Sequence, residues 1–384
     1  MCSVLTRLEL RFFKCFELLR LPLAPLTLLT GLNASGKSSV LQALVLLHQT
    51  MREREWSTRL ALNGAAVRLG AMPDVVDEVT GRDTFQIALV DGDEDICGWA
   101  FRGDRRDMSL DVLRVSVNGL TRERPSELHY LLPLDVNECV KSMAGRLRDL
   151  TYITAERLPP QETYVLEDPH VVSAVGPRGE HAVSTLHWGR DEPVLDDLAL
   201  PGAPINRLRQ VEERMRTLFP GFAIDLQQPP RANAVTLRLR TSDATGFHSP
   251  IHTGFGLTQI LPIVVAAMSA SKGGIILIEN PEVHLHPAGQ ALMGQLMADI
   301  AHAGIQIVVE THSDHVLNGV RRAVKAGRLT ADQVAIHFFR PRYDDLTQVL
   351  SPVLDNSGNI DEWPEGFFDQ FDRDANYFAG WADD

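Results

Sequence analysis

The sequence is poor in several features that would place it quickly. Its four cysteines, Cys2, Cys15, Cys97 and Cys139, form no CxxC pair, so neither a zinc ribbon nor a disulfide framework is indicated. Unpaired thiols suit a reducing compartment, and a cytoplasmic location is expected. No apolar run is long enough to span a bilayer. The opening MCSVLTRLELRFFKCFE alternates apolar and charged residues instead of forming the apolar stretch of a signal peptide, so no membrane partner is expected. Positive charge is short as well: 37 Lys and Arg stand against 50 Asp and Glu, a net charge of −13. Phosphate binding needs a local excess of Lys and Arg, which excludes a generic nucleic-acid coat but leaves room for a local basic groove. No heptad pattern is sustained, so a long coiled-coil arm is not expected. Internal repeats and low-complexity segments are missing too.

What is present is a chain of 384 residues that are 44% apolar. That suits one large domain with an insertion, or two domains, with a sizeable core. Leu5 to Phe16 alternates like an antiparallel strand. PLTLLTG, Pro25 to Gly31, reads as a buried strand entering a tight turn, and SSVLQALVLLHQTMRERE after it has helical spacing. From about Arg82 to Arg240 the pattern is irregular, with an amphipathic helix expected over Asn206 to Phe219. Regularity returns near Pro250. GGIILIEN, IQIVVET and VAIHFFR read as strands; PAGQALMGQLMADIAHAG and SDHVLNGVRRAVKAG read as the helices between them, opened by Pro287 and by a Ser313 cap. Such alternation predicts an α/β fold with a mostly parallel core sheet. The expected divisions are residues 1–80, an inserted lid over 81–240, a return to the core over 241–343, and an acidic, aromatic segment over 344–384.

GLNASGKSS fits GxxxxGK[ST] at every required position and in the required context, after a strand and opening a helix. Gly31, Asn33, Ala34, Ser35, Gly36, Lys37, Ser38 and Ser39 are therefore the candidate phosphate cradle. Backbone N–H groups and the helix N-terminus would face the phosphates. Lys37 would neutralise the outer ones and Ser38 would ligate Mg²⁺, which makes ATP with Mg²⁺ the expected cofactor pair. The second question is posed by IENPEVHLHP. An acid at the tip of a buried strand is costly without a metal or a partner. In nucleotide-binding α/β proteins a second strand carries an acid beside the phosphate loop, so Glu279 is the second candidate metal ligand with Ser38.

Two more segments bring a family into view. GFGLTQILP, Gly254 to Pro262, precedes the Glu279 strand, and THS, Thr311 to Ser313, ends the following one. Their order resembles that of ABC-type P-loop ATPase heads of the SMC, RecF and OLD group. The similarity is greatest to short bacterial AAA-type ATPases with IENPE, THSDH and a tail like NSGNIDEWPEGFFDQ, Asn356 to Gln370. It spans both ends of the chain, whereas the middle matches only in outline. The resemblance implies an ABC-type head with an antiparallel N-terminal subdomain and an inserted lid. It implies a homodimer or higher oligomer that sandwiches nucleotide, with Gly254, Gly256, Thr258 and Gln259 of one copy closing over the phosphates held by the other. It makes His312 the residue that senses the γ-phosphate, and HLHP a contact across the sandwich.

In that family the residue after the Glu279 position is usually a second acid that works on the attacking water. Here it is Asn280, and an amide can position water but cannot take its proton. Three readings follow: Glu282 acts as base, Asn280 suffices to orient water as a neutral glutamine does in small GTPases, or hydrolysis is slow. Glu279, Asn280, Glu282 and His312 are thus the candidate catalytic residues. HLH and THSDH also have ligand-like histidine spacing, but no cysteine completes a set. DNSGNIDE fails the EF-hand pattern and reads as a hairpin turn. Arg157, in AERLPP, divides evenly between a phosphate or cross-subunit contact and a surface ion pair. Arg321 to Arg328 reads as an ordinary basic helix end. OLD-type relatives carry a nuclease domain after the ATPase. Only the short tail follows here, so the expected output is control of a separate effector, nuclease or toxin-like, in bacterial antiphage defence. The alternatives are a DNA-repair or DNA-clamping ATPase of the RecF or SMC kind, in which DNA is a partner, and a nearly non-hydrolysing ATP switch.

Overall fold

A computed structural model describes residues 4–379 apart from 78, 80, 93–94, 169–174 and 343–346. The N-terminal alternation forms β1 (Leu5–Phe13), which turns through Lys14 and returns as β2 (Phe16–Pro22). The apolar β3 (Leu26–Gly31) feeds the phosphate-loop sequence and α1 (Lys37–Glu53). Then come β4 (Arg59–Ala61), β5 (Thr84–Asp91), β6 (Ile96–Arg102), β7 (Ser109–Val117) and β8 (Leu120–Glu123). Helix α2 (Glu138–Arg148) leads to the short β9 (Thr151–Ile153). A small unit follows, made of β10 (Thr163–Val165), α3 (Ala182–Trp188), α4 (Arg207–Leu218), β11 (Ala223–Gln227) and β12 (Ala234–Arg240). The regular C-terminal half supplies α5 (Phe255–Ser269), β13 (Ile275–Glu279), α6 (Pro287–His302), β14 (Gln306–Glu310), α7 (Asp314–Lys325) and β15 (Val334–Phe339). Strand β16 (Val349–Leu350) and α8 (Gln370–Ala379) close the described chain.

The core sheet runs β16-β15-β3-β14-β13-β9. Its pairings are parallel except at β16, which lies antiparallel on β15. Near-continuous apolar strands predict burial on both faces, and the side chains divide accordingly. Leu28, Ile276, Ile278, Ile307 and Val309 pack with α5, α6 and α7. Leu29, Leu277 and Val308 pack on the other face with α1 and the N-terminal strands. Helices α6 and α7 cross at a glycine contact. A Cβ on Gly294 would lie 2.1 Å from the Val316 carbonyl oxygen, and one on Gly319 would lie 2.1 Å from that of Ala291. The Ser313 cap is present, its Oγ accepting from the Val316 N–H at 3.1 Å.

Residues 81–240, expected as one insertion, fall in three places. Strands β5 to β8 join β1, β2 and β4 in one antiparallel sheet ordered β2-β1-β5-β6-β7-β4, with β8 on β7. Strand β9 joins the core sheet beside β13. Only β10 to β12 form a sheet of their own. The physical reason is register: Leu8 pairs with Leu89 and Leu10 with Ile87, so the apolar face of β1 continues across a strand more than seventy residues away. The DNSGNIDE segment is a turn. Its Asp355 carboxylate accepts from the Ser357 and Asn359 N–H groups at 2.8 Å each, and Leu354 bridges Ile360 across it. The basic helix end docks this turn, Arg321 Nε donating to the Gly358 carbonyl at 2.7 Å with its guanidinium over the Trp363 ring.

Candidate functional site

The site lies at the carboxyl ends of β3, β14 and β13. Gly31 ends β3 with φ +125°, and a Cβ there would sit 2.1 Å from the Phe339 carbonyl oxygen. Only glycine fits that bend. Gly36, at φ +102°, sets the entry to α1. Among the described residues, Asn33 to Ser39 line a cavity of about 390 Å³ together with Lys14, Cys15, Gln42, Glu310 and His312. Lys37 is 3% exposed, and its Nζ donates to the Gly31 and Leu32 carbonyls at 3.0 and 2.6 Å. The ammonium is thereby folded onto the loop it would leave to meet phosphate. Burial lowers its pKa, opposed by the carboxylate of Glu310.

Three acids converge on this edge, each with a different partner set. Glu279 is held at both oxygens: Oε1 accepts from the Tyr152 hydroxyl at 2.7 Å, and Oε2 from the Ala155 N–H at 3.0 Å. Glu282 is buried, and its Oε1 accepts from the His312 N–H at 2.8 Å. Glu310 ends β14 directly opposite Glu279 in the parallel register. It is 6% exposed and lines the cavity with Ser38, while its Oε2 is buried with no partner. Burial raises the Glu310 and Glu282 carboxyls above the usual carboxylate range. For Glu310 the neighbouring Glu279 and Glu282 add to the effect, and Ser38 and Lys37 oppose it. Sequence reasoning passed over Glu310. The signal was available: IQIVVET, like IILIEN, is an apolar strand that ends in an acid.

Arg157 takes neither place expected of it. It is 4% exposed, and its Nη2 donates to the Glu279 and Asn280 carbonyls at 2.6 and 3.2 Å. Burial lowers its pKa to about 10, against the pull of Glu282 and Glu279. The guanidinium is a buried clamp on the ENPE turn. Asn280 sits at φ +44°, a left-handed position that Asn tolerates better than other non-glycine residues. Its N–H donates to the Glu310 carbonyl at 2.8 Å, and its Oδ1 is buried without a partner. His312 stands at the cavity wall with its ring partly open to solvent, its pKa lowered by partial desolvation and by the charge of Lys37.

Gly254, Gly256, Thr258 and Gln259 do not line this cavity. Gly254 caps the start of α5. A Cβ on Gly256 would lie 2.9 Å from the His284 carbonyl oxygen, and Phe255 meets the His284 ring edge-on at 4.9 Å. The glycine segment and HLHP therefore form one surface. Thr258 and Gln259 turn inward: Thr258 Oγ1 donates to the Phe255 carbonyl, and Gln259 Nε2 to that of Leu158, both at 3.0 Å.

The strand order places β14 between the loop-bearing β3 and the acid-bearing β13. An Smc head bound to the C-terminal winged-helix domain of ScpA is 16% identical with a TM-score of 0.50, covering 91% of this chain and 98% of that one. An Smc head bound to the C-terminal domain of ScpA, derived from Pyrococcus furiosus, is 13% identical with a TM-score of 0.51, covering 91% and 96%. The fold is that of an ABC-type ATPase head. The profile of the AAA ATPase domain matches residues 214–317 of this head, and that of a protein of unknown function (DUF3696) matches residues 329–376. The OLD nuclease of Thermus scotoductus is 23% identical over 329 residues, covering 81% of this chain. The head spans 59% of the length of that relative.

Mg²⁺ fits the residues of this head. Ser38, Glu279 and Glu310 offer hard oxygen donors; Glu310 lines the cavity, and its Oε2 is a buried oxygen without a partner. No group of three or more His, Cys, Asp or Glu among the described residues is arranged to hold a metal by itself. That suits an ion that takes phosphate oxygens and water as its remaining ligands. The same finding leaves HLH and THSDH without a histidine metal site. No helix among the described residues is long and apolar enough to cross a membrane.

Proposed function

We propose that the protein binds and hydrolyses ATP with Mg²⁺, and that two copies close around the nucleotide. The observation that carries this reading is the loop itself. Lys37 and Ser38 stand at the mouth of α1 with Glu310 and His312 facing them across a cavity of about 390 Å³. Lys37 releases its two carbonyls to meet the outer phosphates, and α1 turns its N-terminus to the same charge. Mg²⁺ bound to Ser38 and the phosphates would neutralise charge as the outer phosphoryl group is transferred. His312 borders the space for that group. Gly254 and Gly256 lie outside the cavity, on a surface that includes His284, which supports their supply from a second copy.

Asn280 favours slow turnover. Its amide cannot accept a proton from water, and it takes the position where the resemblance leads one to expect an acid. We read the protein as a slow ATPase whose nucleotide state controls a separate effector in antiphage defence, the role that the motif resemblance leads one to expect. The test is Mg²⁺-ATP turnover of the wild type beside Lys37→Ala, with and without DNA. Turnover that disappears in the variant supports the ATPase. Wild-type binding without turnover points to a switch, and ATP-dependent stimulation by DNA points to clamping.

A further inference from the structure

We infer that Glu310, at the end of the strand between the two motif-bearing strands, supplies the acid on the magnesium side of the nucleotide site. This rests on the nucleotide reading above and goes further by naming a residue outside the recognised motifs. The geometry comes first. Ser38 is the loop hydroxyl placed for the metal, and the carboxylate that lines the same cavity with it is Glu310. Glu310 lines the cavity, whereas Glu279 does not. The oxygens of Glu279 are engaged by the Tyr152 hydroxyl and the Ala155 N–H. One oxygen of Glu310 is buried without a partner.

An unpaired buried carboxylate oxygen is expensive to keep. A bound divalent ion repays that cost, because it replaces the missing partner with a full positive charge. The surroundings restrict the ion to one with hard ligands: a hydroxyl, carboxylates and the phosphates of the nucleotide. The ladder between β13 and β14 sets Glu310 beside Glu279. The site thus retains a pair of acids, one from each of two adjacent strands, although Asn280 removes the usual pair of successive residues. The Asn280 N–H donates to the Glu310 carbonyl at 2.8 Å, which ties the turn after β13 to the end of β14.

The experiment measures binding of a fluorescent ATP analogue across an Mg²⁺ titration and in EDTA, for wild type, Glu310→Gln, Glu279→Gln and Lys37→Ala. Glu310→Gln is expected to raise the half-saturating Mg²⁺ concentration about tenfold or more, with binding in EDTA unchanged or tighter. Glu279→Gln is expected to shift it less than Glu310→Gln does. A wild-type Mg²⁺ dependence in Glu310→Gln, or a larger shift in Glu279→Gln, overturns the assignment. If Glu310→Gln does not fold, Glu310→Asp, which withdraws the charge by one methylene, must show a rise of the same sign or the assignment falls. Lys37→Ala separates the two levels. Undiminished analogue binding there defeats the nucleotide reading itself. Lost binding there with wild-type behaviour in Glu310→Gln defeats only the metal-side role.

Discussion

Strand β14 begins and ends on a buried polar side chain, and the two ends are opposites. At its start, Gln306 is 2% exposed. Its Oε1 accepts from the Leu5 N–H at 2.9 Å, and its Nε2 donates to the Leu5 and Ala24 carbonyls at 2.7 and 3.2 Å. At its finish, Glu310 keeps one buried oxygen without a partner, in company with Asn280 Oδ1, Glu282 Oε2 and two Arg157 nitrogens. The first end uses its polar atoms to fix β1 to the core sheet. The second holds polar atoms in reserve. Buried polar groups are normally satisfied, so the unsatisfied ones gathered at this edge support the nucleotide site proposed there. It also matches the rule that open α/β sheets bind ligands at the carboxyl ends of their strands.

The comparison breaks most easily at Lys37. Lys37→Ala is expected to reduce Mg²⁺-ATP turnover by about 100-fold or more, while the melting temperature without nucleotide stays close to wild type. At the opposite end the pattern reverses. Gln306→Leu strips the Leu5 N–H and two carbonyls of their partners and should cost about 2–3 kcal/mol in denaturant unfolding, with affinity for the ATP analogue unchanged. A smaller effect sharpens the contrast at the turn. Asn280→Glu places a longer acid at φ +44°, so it should lose about 1 kcal/mol of stability. Turnover should rise about tenfold if the missing proton acceptor is what limits it. Unchanged turnover in a folded Asn280→Glu would end the slow-hydrolysis reading.

The smallest expected effect depends on pH. Burial keeps the Glu310 carboxyl above its usual value in the folded protein, Glu279 and Glu282 reinforcing it. The folded state therefore favours the protonated form more than the unfolded chain does. That contribution is complete below the ordinary Glu value and is lost as pH rises through the folded one. Nucleotide-free Glu310→Gln should melt above wild type at neutral pH and should converge on it as pH falls below the ordinary Glu range. Melting curves across pH decide it; a variant that melts lower throughout would mean that Glu310 is an ordinary structural partner.

Much of this was legible in residue order. GLNASGKSS, IILIE and the alternation after Pro250 are local patterns, and local patterns specify loops, strands and helices. What escaped was non-local. Nothing in the spacing of IQIVVET says that its last acid meets Ser38, because that meeting is made by strand order across more than 270 positions. Arg157 divided evenly between a phosphate or cross-subunit contact and a surface ion pair, because burial is a property of the packed turn above it. The stretch after Gly81 seemed irregular since its strands pair with β1 rather than with one another alone. Thr258 and Gln259 have the residue types of a phosphate contact, yet their hydrogen bonds serve their own helix and the loop at Leu158.

The glycine crossing of α6 and α7 has a mechanical side. Backbones in contact at Gly294 and Gly319 leave no side-chain layer to shear, so the two helices tilt as one lever. Its near end is the Ser313 cap, one residue beyond His312. About 12 Å away along α7, Arg321 grips the Gly358 turn and lies over Trp363. If the proposed nucleotide tilts the Ser313 end, the displacement would be largest at that far end, where the Trp363 indole would report it optically.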